Sequence, residues 1–297
     1  MTGQSVHIVY KGSRYLAGIF CLVLFMPSHQ VNAQPYIDLM NVAYFNSPDI
    51  GKLGKDKNPT RLDYFNISAT IPLQFRNKQD ALILSPFFER WTSQVQSVSN
   101  YNEYHYGAVL PFTLLKTLPH TKWSMLTTVI VRMNDADINR DGQCQIGGAL
   151  VAARQVNSNL LYKIGFYLNS EFFGLFFVPL VGIDWRINSR ANLFGVLPAS
   201  LTFEYRLAKR LYTGAVCRTF TNSYHDAGPN YWRIDENQLG VYLDYYPTKR
   251  ILLNAELGHS VLRKIRSGTW HQINNSWNAD NNMYFKFALA YRFRIRN

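Results

Sequence analysis

The chain has 297 residues, a formal net charge of +12, 15% aromatic residues and three cysteines. Three cysteines are too few for the disulfide framework of a small secreted domain. The longest apolar stretch, residues 172–183, is interrupted by Pro179, whereas a membrane-spanning helix needs about 18 or more apolar residues. The composition therefore excludes a disulfide-stapled module and helical membrane spans, so any insertion into a membrane must be by strands.

Residues 1–33 have the layout of a secretory signal peptide, with a basic start, a short apolar core and small residues at 31–33 before the cleavage point. The apolar core is shorter than the roughly 20 residues of a spanning helix. We therefore predict a signal peptide over residues 1–33 and one domain over residues 34–297. We expect Cys144 and Cys217 of that domain to be free thiols, with a bridge between them as the alternative.

Alternation of apolar and polar residues predicts strands along this domain, most strictly at the C-terminus. From Met283 to Ile295 every second residue is apolar, which indicates a strand with one apolar and one cationic face. The same pattern predicts about 14 strands, near residues 35–46, 61–75, 81–92, 104–115, 122–134, 143–154, 160–169, 175–186, 191–197, 199–208, 210–222, 237–247, 250–259 and 283–295. Most have the roughly 9 to 11 residues that a tilted membrane-spanning strand requires.

The connections between these strands alternate in length. Residues 187–190 and 247–249 are short turns, whereas residues 223–236 and 260–282 are long and polar. This asymmetry is typical of a barrel with short periplasmic turns, long external loops and both termini in the periplasm. We therefore predict an all-β fold, a transmembrane antiparallel up-and-down β-barrel of about 12 to 14 strands in the outer membrane. The lower number applies if residues 191–208 form one bent strand.

Side-chain parity along the strands places charged residues inside the barrel. The predicted lumen-lining residues are Arg132, Lys163, Asp184, Arg186, Glu204, Arg206, Arg218, Asp244, Glu256, Lys286, Arg292 and Arg294. Arginine is in excess, and buried charges must be paired or hydrated. Inward glycines are expected to leave space, at Gly147, Gly165, Gly182, Gly214 and Gly240. We therefore favour a narrow pore with a cationic lumen over a closed polar network.

Residues 137–142, Asp-Ile-Asn-Arg-Asp-Gly, match the first half of a calcium-binding loop. Asp137, Asn139 and Asp141 would supply oxygen ligands two residues apart, as such loops do. The bidentate Glu that completes the motif is replaced by Gly148. We therefore expect no cofactor and keep a calcium ion as the alternative to a solvated loop tip.

Two groups of residues contain the components of a hydrolytic site, in which a nucleophile needs a histidine and an orienting carboxylate. His259 adjoins Ser260 with Glu256 nearby, but neighbours in a strand point to opposite faces. Residues 222–226, Asn-Ser-Tyr-His-Asp, fall in a predicted loop. We therefore predict no catalytic residue and no enzymatic activity, and keep an outer-membrane lipid-modifying enzyme as the alternative.

The basic balance of the chain bears on its partners. Cations at alternate strand positions of an exported barrel fit a charged lumen or anionic headgroups better than nucleic acid. Residues 263–282 mix basic and aromatic side chains that could meet lipopolysaccharide phosphates, although interface aromatics are routine in barrels. We expect outer-membrane lipid and lipopolysaccharide, the barrel-assembly machinery that inserts such chains, and small anionic solutes as partners, and no nucleic acid.

Residues 182–198 (GIDWRINSRANLFGVLP) and 210–224 (RLYTGAVCRTFTNSY) resemble a family of uncharacterised outer-membrane barrel proteins, a domain of unknown function typical of Bacteroidota. The resemblance covers roughly the C-terminal half of the chain. It implies a location and an architecture, and it supplies no active site to transfer. The expected role is therefore a narrow passive channel or a structural barrel. The other alternative is an adhesive or scaffold barrel that acts through its external loops.

Overall fold

The computed structural model describes residues 35–50, 60–77, 79–95, 101–137 and 143–295. Within these ranges, no helix has the length and apolarity that crossing a membrane requires. The predicted signal peptide at residues 1–33 lies outside the described residues, as do Asn139 and Asp141 of the predicted calcium loop. Those two predictions therefore stay predictions.

The described residues form strands that belong to one sheet. In chain order they are β1 (Tyr36–Ser47), β2 (Thr60–Ala69), β3 (Ile71–Gln74), β4 (Ala81–Leu84), β5 (Phe87–Val95), β6 (Tyr101–Thr117), β7 (Trp123–Asp135), β8 (Cys144–Asn157), β9 (Leu160–Glu171), β10 (Gly174–Arg186), β11 (Ala191–Leu197), β12 (Ser200–Ala208), β13 (Leu211–His225), β14 (Asn230–Tyr245), β15 (Ile251–Thr269), β16 (Gln272–Asn278) and β17 (Met283–Arg294). Each strand of the wall pairs antiparallel with its neighbours, and β17 pairs with β1, so the sheet closes on itself.

The wall of the barrel has 14 strands in the part of the chain that is described. β2 and β3 form one wall strand interrupted at Thr70, and β4 and β5 form another. β16 lies outside the wall and pairs with the upper part of β15. The predicted closed up-and-down barrel is confirmed. The alternative of one bent strand over residues 191–208 is wrong, because β11 and β12 are separate strands that pair with each other.

The two ends of the barrel differ. The short turns and the outer ends of β1 and β17 lie at one end, which we call the turn end; we call the other the loop end. Between them the outward face is apolar, with Leu175 77% and Phe287 60% exposed. Exposed aromatic side chains border this band near both ends, such as Trp123 at the turn end and Tyr104 at the loop end. An exposed apolar surface of this extent is typical of a protein embedded in hydrocarbon.

Three of the five inward glycines, Gly147, Gly214 and Gly240, do not leave space, and the expectation is wrong for them. A Cβ on Gly214 would stand 2.7 Å from the hydroxyl oxygen of Tyr242, and one on Gly240 would stand 2.5 Å from that of Tyr284. At Gly147, the side-chain oxygen of Asn169 occupies the corresponding position. Side chains from neighbouring strands therefore lie over these three glycines, and the absence of Cβ atoms is what permits this packing.

Three strands continue beyond their predicted ends at the loop end. β13 extends to His225, β14 begins at Asn230 and β15 extends to Thr269, where the sequence predicted loops over residues 223–236 and 260–282. Those loop predictions are wrong. The four consecutive residues that end β13 are all buried, so both faces of the strand are covered and the alternation of polarity is lost.

The guanidinium of Arg292 joins the strands that close the barrel. Its Nη2 donates to the Asp38 carboxylate of β1 at 2.8 Å, and its Nη1 contacts Asp244 of β14 at 2.9 Å. The guanidinium also lies 3.5 Å from the ring centre of Tyr36. Arg292 belongs to the last strand and Asp38 to the first, so this buried cluster spans the seam of the sheet.

We expect Arg292→Met to destabilise the barrel by about 3 to 5 kcal/mol, because it leaves the Asp38 and Asp244 carboxylates without their cation. The measurement is equilibrium urea unfolding in detergent, followed by the loss of heat-modifiable gel mobility. Arg250→Met is the matched control. Arg250 is exposed and donates to the Tyr291 hydroxyl at 2.6 Å, so its loss is expected to cost less than about 1 kcal/mol. Equal effects of the two substitutions would contradict the assignment.

Candidate functional site

The loop-end mouth of the barrel is covered by the upper parts of β13 and β14, residues 219–236, which we call the closing hairpin. β13 pairs with β12 only as far as Arg218, because the β11–β12 hairpin is short. Above that point β13 reaches β7, where His225 pairs in parallel with Asp135. The Ala136 N–H also donates to the His225 carbonyl at 2.8 Å. Since β8 to β12 separate these two strands in the wall, the closing hairpin bridges the mouth.

Buried hydrogen bonds hold the closing hairpin against the wall. Glu89 of β5 accepts from the Tyr224 hydroxyl at 2.7 Å and from the Asn222 amide at 3.1 Å. Glu171 of β9 accepts from the Ser223 hydroxyl at 2.5 Å. Glu89 and Glu171 are both buried, so their hydrogen bonds to the hairpin replace water that these carboxylates would otherwise need.

The other contacts of the closing hairpin involve two histidines. The Nδ1 of His225 lies 2.8 Å from the Asp135 carboxylate, and its Nε2 lies 2.8 Å from the Gly228 carbonyl oxygen. The Trp232 ring stacks on His105 of β6 with 4.0 Å between the ring centres. The Gln145 amide of β8 also donates to the Ser223 hydroxyl at 3.3 Å. The hairpin thus contacts β5, β6, β7, β8 and β9, which are consecutive in the wall.

An apolar cluster fills the lumen beneath the closing hairpin, and we call it the mouth cluster. Its members are Phe45, Ile50, Leu62, Trp91, Tyr224, Trp232, Ile234, Ile265, Ala279 and Tyr284. They come from β1, β2, β5, β13, β14, β15 and β17 and from the connections after β1 and β16. Trp91 and Ile234 are fully buried. In this conformation the loop-end half of the lumen is therefore packed with side chains.

Two arginines of the segment that could meet lipopolysaccharide phosphates are paired with carboxylates. Arg263 is buried inside the barrel, with its Nε 2.5 Å from the Glu236 carboxylate and its Nη1 donating to the Ser47 hydroxyl at 3.2 Å. Arg266 forms an ion pair with Asp235. These two guanidinium groups therefore stabilise β14 and β15 against each other.

A polar cavity of about 250 Å³ lies in the middle and turn-end part of the lumen. The ionisable groups along it carry both signs: Asp38, Arg218, Asp244, Glu256, Lys286 and Arg292. Tyrosine, asparagine, serine and threonine side chains form most of the remaining lining, together with Val216, Leu252 and Ala288. A cavity of this size holds several waters or one small polar solute.

Most of the predicted lumen cations contact a carboxylate. The ion pairs are Arg132–Glu171, Lys163–Asp184, Arg218–Glu256, Lys286–Glu256, Arg292–Asp38, Arg292–Asp244 and Arg294–Glu204. Arg186 and Arg206 lie near the turn end of β10 and β12, and neither forms an ion pair within the described residues. The excess of arginine that the sequence suggested is thus offset by carboxylates over most of the lumen.

Three carboxylates inside the barrel, Asp38, Glu89 and Glu171, were not predicted from the sequence. A bulge between Asp38 and Met40 shifts the parity of β1, so simple alternation from Met40 places Asp38 on the wrong face. Glu89 follows regular alternation in β5, and counting parity there would have found it. Glu171 ends β9, and its role depends on the closing hairpin, which the sequence did not reveal.

The calcium prediction concerns residues that are mostly outside the described part. Asp137 is described, and its N–H donates to the Asp135 carboxylate at 2.8 Å. Among the described residues, no group of three or more His, Cys, Asp or Glu could hold a metal ion. Calcium binding by Asp137, Asn139 and Asp141 stays a prediction.

The candidate catalytic groups have other partners. The Ser260 hydroxyl donates to Glu236, while the Nδ1 of His259 lies 2.8 Å from the Ser260 carbonyl oxygen. Ser223 and His225 instead hold the closing hairpin against the wall through their contacts with Glu171 and Asp135. The described cysteines, Cys144 and Cys217, are free thiols. None of these side chains forms a nucleophile, base and carboxylate arrangement through the hydrogen bonds of the described residues.

Solved structures similar to this chain include outer-membrane proteins. An outer-membrane channel from Pseudomonas putida F1 has a TM-score of 0.43 and 12% identity, covering 89% of this chain and 99% of that one. The NanC porin has a TM-score of 0.41 and 7% identity, covering 85% and 98%. A mutant of the TodX monoaromatic hydrocarbon channel has a TM-score of 0.40 and 8% identity, covering 87% and 90%. The barrel fold is assigned from the closed sheet, because similarities to solved structures at this level are too distant to support it.

None of the curated proteins compared with the chain matches it. An origin in Bacteroidota stays a prediction, since no comparison bears on it. The predicted membership in an uncharacterised family is confirmed. The model of a domain of unknown function, DUF6268, matches residues 54–296, and the chain therefore belongs to that family.

Proposed function

We propose that the protein is an outer-membrane β-barrel that works as a narrow passive channel for small polar solutes. The observation that carries the proposal is the polar cavity of about 250 Å³ inside a closed barrel of 14 strands. Barrels of 8 strands are filled by side chains and barrels of 16 are open, so a barrel of about 14 suits a narrow passage. In this proposal the turn end faces the periplasm, because short turns are typical of the periplasmic side of such barrels.

In this conformation the channel is closed at the loop end. The mouth cluster fills that half of the lumen, and the closing hairpin holds it from above. Passage of a solute therefore requires the closing hairpin to move away from the wall. Lid openings of this kind occur between microseconds and seconds in proteins.

The charges of the lumen favour weak selectivity. A cationic lumen would prefer small anions, as the sequence suggested, but the ion pairs neutralise most of its cations. Arg186 and Arg206 at the turn end leave a small positive excess. We infer that the channel prefers anions only slightly and that its size limit is set by the cavity and the mouth. No reaction is assigned to the protein.

Shortening the closing hairpin is expected to open the channel. Replacing residues 222–234 by Asn-Gly joins Thr221 to Asp235, which already pair in the ladder, through a favourable two-residue turn. In planar bilayers we expect the wild type to show small or rare conductance steps and the shortened variant to show steps that are larger and sustained. If neither protein conducts while both keep heat-modifiable mobility, the protein is a structural barrel and not a channel.

A point substitution tests the role of the closing hairpin without shortening it. Trp232→Ala removes the ring stacked on His105 and leaves the barrel wall intact. We expect it to increase the fraction of time that the channel is open, by less than shortening the hairpin does. Trp270→Ala is the matched control, because Trp270 is 45% exposed and outside the mouth cluster. Equal open fractions for both tryptophan variants would contradict a role of the hairpin in closure.

A further inference from the structure

The two ends of the barrel carry opposite charges in the described residues. The turns at the turn end contain one carboxylate, Asp80, and the cations Arg76, Lys122, Arg190, Lys209, Arg210, Lys249 and Arg250. The described connections at the loop end contain no Lys or Arg, and their carboxylates are Asp49, Asp137, Asp226 and Asp280. A field of this shape attracts anions to the turn end.

The single carboxylate of the turns is already satisfied. The Lys116 ammonium lies 2.5 Å from Asp80, and the Thr117 N–H donates to the same carboxylate at 2.9 Å. The hydrogen bond from Lys116 and that from Thr117 lower the pKa of Asp80 to about 2. Asp80 therefore stays ionised at neutral pH and is paired within its own turn, so it does not neutralise the other cations.

Two arginines hold their guanidinium groups at the edge of the apolar band. Arg154 faces Trp123 on β7 and Tyr162 on β9 in the ladder, with its guanidinium 5.6 Å from the Trp123 ring centre. Arg250 contacts the ring and the hydroxyl of Tyr291. Trp123 and Tyr162 are outward and exposed. Cations beside such aromatic rings lie at the depth of lipid headgroups, where the hydrocarbon ends.

We propose that the turn end binds the headgroups of anionic phospholipids through this belt of cations. The inference rests on the membrane placement proposed above and is independent of channel activity. A soluble polyanion would need the cations to face water below the barrel, but Arg154 and Arg250 lie beside lipid-facing rings. Each Lys or Arg near an anionic surface contributes roughly 1 kcal/mol, which is about a fivefold effect on binding.

The test is native mass spectrometry of the protein in detergent with equimolar phosphatidylglycerol and phosphatidylcholine. We expect the wild type to retain phosphatidylglycerol in preference. The triple variant Lys209→Gln, Arg210→Gln, Lys249→Gln should bind it roughly 100-fold more weakly. The matched control removes three lysines from the connection between β1 and β2, with Lys52→Gln, Lys55→Gln and Lys57→Gln. This control should keep the preference of the wild type.

Four results would overturn the proposal. Equal retention of both lipids by the wild type, or unchanged retention by the turn-end variant, removes the lipid site. Displacement of phosphatidylglycerol by soluble glycerol phosphate or by anionic cell-wall fragments at equal concentration assigns the belt to a soluble ligand. If the triple variant fails to fold, the salt dependence of lipid binding by the wild type tests the proposal. Its preference should fall steeply as sodium chloride rises, and a preference insensitive to salt contradicts the proposal.

Discussion

The constraint on which the structure depends is that a barrel walled by hydrocarbon must satisfy its inward charges inside the wall. A charged group that faces the lumen cannot reach bulk water through the outward side, so away from the two ends each needs an opposite charge, a hydrogen-bond donor or an enclosed water. The lumen meets this requirement with cross-strand pairs such as Arg218–Glu256. The same pairs tie together strands that are distant in sequence, and Arg292 ties the last strand to the first.

The shortness of the β11–β12 hairpin leaves the loop end of β13 without a neighbour in the wall on its β12 side. Because β12 ends its pairing at Arg218, the upper edge of β13 has no antiparallel partner on that side. An unpaired edge presents backbone donors and acceptors that must be satisfied elsewhere. The edge reaches β7 and pairs there at Asp135. Because the β11–β12 hairpin is short, strands of the barrel itself can close the mouth, without a separate plug domain.

The two ends of the molecule are built for different surroundings. At the loop end, Arg263 and Arg266 are paired with carboxylates, and aromatic side chains pack inward as the mouth cluster. At the turn end, cations are exposed and aromatic rings face outward beside them. Transport and anchoring in the membrane would then depend on opposite ends of one barrel, which permits each to be altered separately.

The sequence determined the fold because a membrane-spanning strand must alternate: its outward side chains meet lipid and its inward ones do not. Because of that requirement, alternation of polarity identified each strand between Cys144 and Ala208, including both strands of the β11–β12 hairpin. Parity also identified the cations of the lumen, because charge is costly on the lipid side. Alternation failed at Asp38, where a bulge shifts the register by one residue.

Tertiary structure alone decided what the lumen contains. Whether Gly240 leaves a gap depends on Tyr284, which is contributed by another strand. Whether Arg263 faces a membrane or Glu236 depends on pairing between β14 and β15. The upper end of β13 in the closing hairpin was not recognised from the sequence because both of its faces are buried, so the period of two that marks a wall strand disappears there. Contacts across the barrel join residues far apart in the chain, and local patterns carry no record of them.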